Sequence, residues 1–161
     1  MLDFIKDFQS VVIGTLDEKA LPFSSYAPFV YMNQRSYIFI SNVAKHAVNL
    51  QRTPKASLLF IEDESKSEQI FARKRISLQC SSTLIPKDVE KFETVMNSFK
   101  IKFSEDMVSM LMGMQDFNLY ELKTDYGEAT YGFGEAYNIG GEFMEDLVKR
   151  HGGTGHGHNK S

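Results

Sequence analysis

Leu2, Ile5 and Phe8 stand three residues apart with charges between them, and that spacing predicts a short amphipathic helix over Met1–Phe8. The β-rich run Ser10–Leu16 (SVVIGTL) predicts a strand, the polar Asp17-Glu-Lys a turn, and Leu21–Val30 a second strand. Pro28 lies inside that second run and has no amide hydrogen to give to a ladder, which points to an edge position or a bulge. Asn33-Gln-Arg predicts another turn and Tyr37–Ile40 a third strand, so the first forty residues read as a three-stranded meander.

Ser41 or Asn42 is placed to cap a helix that runs to about Arg52, with Val43, Ala47 and Leu50 on one face and Pro54 as its stop. Ala56–Ile61 predicts a buried strand and Gln69–Ile85 a long extended run. Val89, Phe92, Met96 and Phe99 mark a helix over Lys87–Lys100. Met107, Met110, Leu111 and Met114 mark another over Ser104–Met114, and their helical spacing assigns these methionines to the core. Phe117–Leu122 and Ala129–Ile139 predict strands on either side of Asp125-Tyr-Gly. Glu142–Arg150 predicts a last helix, with Lys149, Arg150 and His151 at its negative end and Gly152 as its cap. Six or seven strands with a few helices give an α+β, mainly β class: a small antiparallel barrel with peripheral helices.

Length and composition narrow the picture further. At 161 residues the chain fits one domain, expected over residues 1–151, followed by a tail over 152–161. With 42% hydrophobic and 24% charged residues it has the make-up of an ordinary globular protein. A net charge of −3 argues against general nucleic-acid binding. One cysteine, Cys80, excludes an intrachain disulfide framework and reads as a core filler. No apolar run approaches the ~20 residues of a membrane span. The first residues lack the basic and long apolar regions of a secretory signal, so the expected compartment is the cytoplasm.

The candidate chemistry is concentrated in a few segments. Three of the four histidines, His151, His156 and His158, lie in the glycine-rich tail. Neutral imidazoles there are ready ligands for iron, zinc, copper or nickel, although Gly/His tails are often incidental ends. Phe71-Ala-Arg-Lys-Arg75 puts three cations in the expected strand, where alternation sends Arg73 and Arg75 to one face and Lys74 to the other. Paired arginines suit carboxylate or phosphate, and equally suit cross-strand ion pairs on an exposed face. His46 on its helix is a structural or a functional imidazole, and Asp116 is a turn residue or the acceptor that orients a ligating histidine. Gly132-Phe-Gly134 lacks the strand-to-helix setting of a dinucleotide loop.

Taken together and in order, Tyr26-Ala-Pro-Phe-Val30, Ser41–Leu50, Ile61–Glu64, Phe71–Arg75, Gln115-Asp-Phe117 and Gly132–Tyr137 resemble the haem-utilisation (HutZ/HugZ) branch of the flavin-binding split-barrel superfamily. The resemblance runs from about Gly14 to the tail and is most specific in the SYAPF and FARKR segments. It implies a split β-barrel homodimer with haem in a cleft at the dimer interface and a tail histidine as axial ligand to the iron. Gly155-His156 best matches the Gly-His pair of the short relatives, followed by His158 and then His151. Asp116 matches the aspartate that bonds to the axial histidine of the other protomer. Arg75, with Arg73 and Lys74, matches the basic segment of the haem cleft, and His46 matches a histidine near it. The implied activity is opening of the porphyrin with O2 and an external electron donor, releasing iron; the rivals are a haem carrier without turnover and an FMN-dependent oxidoreductase. Lys45 and Ser41 match flavin-phosphate positions of the flavin-binding cousins, but Ala44 stands where those carry a hydroxyl.

Overall fold

The computed structural model describes residues 1–150. Eight strands, β1 (Ser10–Leu16), β2 (Pro22–Met32), β3 (Arg35–Ser41), β4 (Lys55–Ile61), β5 (Arg75–Ile85), β6 (Phe117–Thr130), β7 (Ala136–Gly140) and β8 (Asp146–Lys149), form one antiparallel sheet. Four α-helices punctuate it: α1 (Leu2–Lys6), α2 (Lys45–Arg52), α3 (Glu90–Lys102) and α4 (Glu105–Met112). The order is β3-β2-β1-β4-β5-β6, and β6 returns to β3, so β1–β6 close a six-stranded barrel while β7 and β8 extend the sheet beyond it. This is the expected split barrel with peripheral helices.

Alternation builds the barrel wall. In β1 Val11, Ile13 and Thr15 turn inward, and in β4 Ala56, Leu58 and Phe60 do the same. Strand β3 departs from that rule and buries five consecutive residues, Ser36–Ile40. Ile38 and Ile40 face the barrel core, whereas Tyr37 and Phe39 join Val95, Met96 and Phe99 of α3 and Val108 of α4 in a second core. A strand buried on both faces reads as a continuous apolar run, which is how YIFI reads. Pro28 pairs only with Ser10 of β1, and pairing with β3 starts one residue later, so the proline sits where β2 has no partner on its other side.

Strand β6 is one element of 14 residues where two strands and a turn were expected, because β5 supports it over its length. Asp125 is the extra residue of a β-bulge, since Gln79 faces Tyr126 and Cys80 faces Thr124. Gly127 permits a close approach near this point: a Cβ there would lie 2.7 Å from both Ile139 Cγ1 and Leu78 Cδ2.

Several sequence expectations change. The segment expected as a last helix over Glu142–Arg150 is a turn followed by β8. Gly141 and Met144 adopt positive φ (85° and 54°), which ends any helix there, and the free edge of β7 captures Asp146–Lys149 by pairing. The helix after β3 is capped by Ala44, without a side-chain bond, and not by Ser41 or Asn42. The extended run from Gln69 starts instead as a one-turn 3-10 helix, Ile70–Ala72, and β5 begins only at Arg75. Met107, Met110 and Met114 are not core: 54%, 53% and 42% of their surface is exposed, and Val108 is the buried anchor of α4.

We expect Gly127→Ala to lower stability by about 1–3 kcal/mol, the usual effect of overpacking a tight contact. Urea denaturation with an unchanged m-value checks this; a midpoint equal to the parent's would show that Ile139 and Leu78 yield freely.

Candidate functional site

The candidate residues fall at two ends of the long strand β6. The first end is the junction of β3, α2 and the turn before β6. Ser41 closes β3 opposite Phe117, and this register brings Asp116 beside the start of the α2 connection. The Asp116 carbonyl accepts from the Asn42 backbone N–H at 2.6 Å, and its Oδ2 accepts from Ser41 Oγ at 2.7 Å. Asn42 Oδ1 in turn accepts from Asn118 Nδ2 at 2.7 Å. Asp116 is half-buried, and among the described residues Ser41 is the one side chain bonded to its carboxylate. Its second oxygen remains available to an N–H donor.

Helix α2 then carries Lys45 and His46 onto β2. Lys45 Nζ lies 4.8 Å from the centroid of the Phe23 ring, a cation–π contact. His46 Nδ1 is 2.8 Å from Ser25 Oγ, and partial burial pushes the imidazole below its ordinary value of 6.5. Ser25 has no role readable from the sequence; its only signal is its place at the head of the SYAPF segment.

The second end holds the basic segment. Because β5 begins at Arg75, Arg73 and Lys74 lie in the preceding loop, and the expected pair of arginines on one strand face does not form. Arg73 is committed to that loop: its Nε donates to the Glu62 carbonyl at 3.1 Å, its Nη2 reaches the same oxygen, and its Nη1 lies 3.6 Å from Glu64 Oε1. The Lys74 backbone N–H donates to Glu62 Oε1 at 2.8 Å, which leaves its side chain exposed. Arg75 donates one bond, from Nη1 to the Arg73 carbonyl at 2.9 Å, and has no acidic partner among the described residues. Arg75 and Lys74 are therefore the cations open to an anionic group. Beside them a cleft of about 810 Å³ opens between α1 and the 62–74 loop, lined by Phe4, Phe8, Glu62, Glu64, Arg73 and Lys74.

Register fixes the distance between the two ends. Arg75 faces Thr130 on β6, thirteen residues beyond Phe117, so about 40 Å of strand separates it from the Asp116 end. Thr130 faces Ala136, whose carbonyl accepts from the Arg150 N–H at 2.9 Å. Arg75, Thr130 and Ala136 on β5, β6 and β7 thus form one row that ends at Arg150, directly after β8, about 15 Å wide. The chain leaves the described structure at the Arg75 end, away from Asp116. His151, His156 and His158 lie outside the described residues.

A closed six-stranded barrel with a two-strand extension and polar groups at both ends of the shared strand defines a split-barrel protein of the flavin-binding type. The sequence profile of the pyridoxamine 5'-phosphate oxidase family matches residues 1–131. A Vibrio cholerae serotype O1 protein described as heme oxygenase HutZ is 34% identical over 146 residues, which cover 91% of this chain and 82% of that protein. A crystal structure described as HutZ, the heme storage protein from Vibrio cholerae, superposes with a TM-score of 0.77 at 30% identity, covering 82% of this chain and 94% of that one. Campylobacter jejuni ChuZ superposes with a TM-score of 0.81 at 30% identity, covering 92% of this chain and 60% of that one. The chain belongs to the pyridoxamine 5'-phosphate oxidase split-barrel family and, within it, to the HutZ/HugZ branch.

The half-buried imidazole makes a pH prediction. His46 folds preferentially neutral, so the unfolded chain binds its proton more readily than the folded one. Its contribution to stability is complete above about pH 6.5 and is lost as pH falls through that value toward the lower folded one. We expect the stability of the wild type to fall more steeply than that of His46→Gln between pH 7 and 5. Equal slopes in denaturant titrations across that window would refute it, and an NMR titration of His46 should show a midpoint below 6.5.

Proposed function

We propose that this protein is a haem-degrading enzyme that works as a homodimer, opening the porphyrin with O2 and electrons from an external donor and so releasing iron. Haem as the ligand is supported by relatives described as a heme oxygenase and a heme storage protein. The observation that carries the arrangement is the separation along β6. Asp116 stands at one end, and Arg75 and the start of the tail at the other. A site that combines a tail histidine with Asp116 therefore takes them from two copies of the chain.

Haem is both the substrate and the source of the redox chemistry. His156 is the proposed iron ligand, with His158 and His151 as the neighbouring candidates. Among the described residues no three His, Cys, Asp or Glu side chains converge on a metal position, and His46 is engaged with Ser25. Asp116 accepts the far N–H of the ligating imidazole, using the carboxylate oxygen that Ser41 does not occupy. That bond fixes the tautomer and raises the basicity of the ligand. Arg75 and Lys74 pair with the propionates, since both are free of acidic partners among the described residues, while Arg73 holds the loop that presents them. The flavin alternative is weakened at α2, where Ala44 caps the helix without a side chain able to hold a phosphate.

The test is haemin added to the purified protein, followed by ascorbate under air. The Soret band should decay in the wild type. Asp116→Asn should retain haemin but lose about 10–100-fold in the rate of decay, the usual effect of removing a ligand's supporting carboxylate. His156→Ala should lose the ligated spectrum. A stable Soret band under reductant and O2 would make the protein a store or carrier, and protein purified yellow with a flavin spectrum would favour the FMN oxidoreductase.

A further inference from the structure

The buried face of α3 ends on a charge where its spacing calls for a hydrophobe. Phe92, Val95 and Phe99 are buried, and Lys102 follows at the same helical spacing, so its side chain turns toward the protein and is half-buried. A lysine at a helix C-terminus ordinarily serves the last carbonyls of its own helix. This one reaches across to β2. Its Nζ donates to the Phe29 carbonyl at 2.7 Å and lies 3.8 Å from the centroid of the Phe29 ring, with the Phe103 ring 5.4 Å away. Among the described residues no carboxylate forms an ion pair with it. Burial without a counter-charge favours the neutral amine and pushes Lys102 down to about 8. The amine stands at a cavity of about 250 Å³ between α1 and β2, walled by Leu2, Ile5, Phe29 and Val30. The other groups there that can carry charge are Lys6 of α1, which lies 3.9 Å from Asp3, and Tyr31 of β2, whose hydroxyl donates to Glu145 at 2.9 Å. Neither Asp116 nor Arg75 lines this cavity.

We propose that Lys102 is a nucleophilic amine that takes small apolar aldehydes into this cavity as Schiff bases. The cavity is smaller than the ~300–1,000 Å³ of sites for drug-sized ligands and its walls are hydrocarbon, so it suits a short or monocyclic aldehyde without charge. In the step, the Nζ lone pair bonds to the carbonyl carbon while the π pair of the C=O moves to oxygen. One proton passes from nitrogen to that oxygen and gives a carbinolamine. The hydroxyl then leaves with the second nitrogen proton as water, and a C=N bond forms; no oxidant or reductant is consumed. An ammonium has no lone pair for the first bond, so the step needs a lysine in an apolar setting without a carboxylate beside it. When protonated, the imine keeps one N–H. The Phe29 carbonyl that holds the amine is placed to accept it, beside a ring face that favours a cation.

Benzaldehyde with cyanoborohydride tests this on the full chain, since reduction turns the imine into a stable secondary amine that peptide mapping locates. At pH 7 about one-tenth of an amine titrating near 8 is neutral, against ~0.0004 of one at the reference value of about 10.4. Lower basicity weakens the nucleophile and cancels part of that advantage. Lys102 should therefore be the first lysine labelled, about tenfold faster than Nα-acetyl-lysine in the same tube. Its rate should level off above about pH 8, whereas that of Nα-acetyl-lysine should climb to about pH 10. Leu2→Phe, which fills the cavity from α1, should slow benzaldehyde at Lys102 about tenfold and leave formaldehyde, which needs little room, unchanged. Should that variant fail to fold, excess benzyl alcohol on the wild type, which has the same shape without the carbonyl, should give the same selective slowing. Benzaldehyde labelling spread over the lysines without preference for Lys102 would overturn the proposal. So would a Lys102 that reacts first but is slowed for neither aldehyde or equally for both, because it is then a reactive amine without an aldehyde site.

Discussion

The pairing of β6 with two different neighbours on one side organises the whole molecule. Its first half, Phe117–Leu122, hydrogen-bonds to β3 and closes the barrel; its last residues, Gly127–Thr130, hydrogen-bond to β7 and leave the barrel behind. Strand β5 backs both halves, so the split costs no ladder on the other side. The bulge at Asp125 falls between the two halves, where the strand must change partner and twist. Asp116 and Arg75, the candidate acceptor and the candidate free arginine, are attached to opposite ends of this strand. Asp116 precedes its first residue, and Arg75 faces its last.

Packing differs between the two ends of β6 for a physical reason. The Asp116 end is clamped by both cores, because β3 buries one face in the barrel and the other against α3 and α4. Its polar contacts are short and mutually supporting: Ser41 to Asp116, Asn42 to Asp116 and Asn118 to Asn42. The Arg75 end is a loop and an exposed hairpin, held by polar contacts to Glu62 and Glu128.

Much of the barrel was legible in the sequence. The β-rich run Ser10–Leu16, the extended run Leu21–Val30 and the apolar runs Tyr37–Ile40 and Ala56–Ile61 located β1, β2, β3 and β4. Helix periodicity located α3, since Phe92, Met96 and Phe99 do face a core. The same periodicity failed for Met107, Met110 and Met114, because spacing shows that residues share a face and not whether anything covers it. It failed again at Glu142–Arg150, where Leu147 and Val148 fit either period and the decision lay with the unpaired edge of β7, a contact made only in the folded sheet. Ser41 and Asp116 were both candidates, but their bond joins residues 75 positions apart, and no local pattern reports it. The capture of Arg73 by Glu62 was hidden for the same reason.

Barrel closure also has a kinetic consequence. Joining Ser36–Ser41 to Phe117–Leu122 brings together segments about 80 residues apart, while the neighbouring hairpins β1–β2 and β2–β3 pair locally. The entropy of closing so long a loop must be met before the contacts across it return any stability, and topologies of this kind fold slowly. The meander and α3 can form early. The Ser41–Asp116 bond exists only after the last seam is shut, so partly folded chains, however compact, lack this corner of the site.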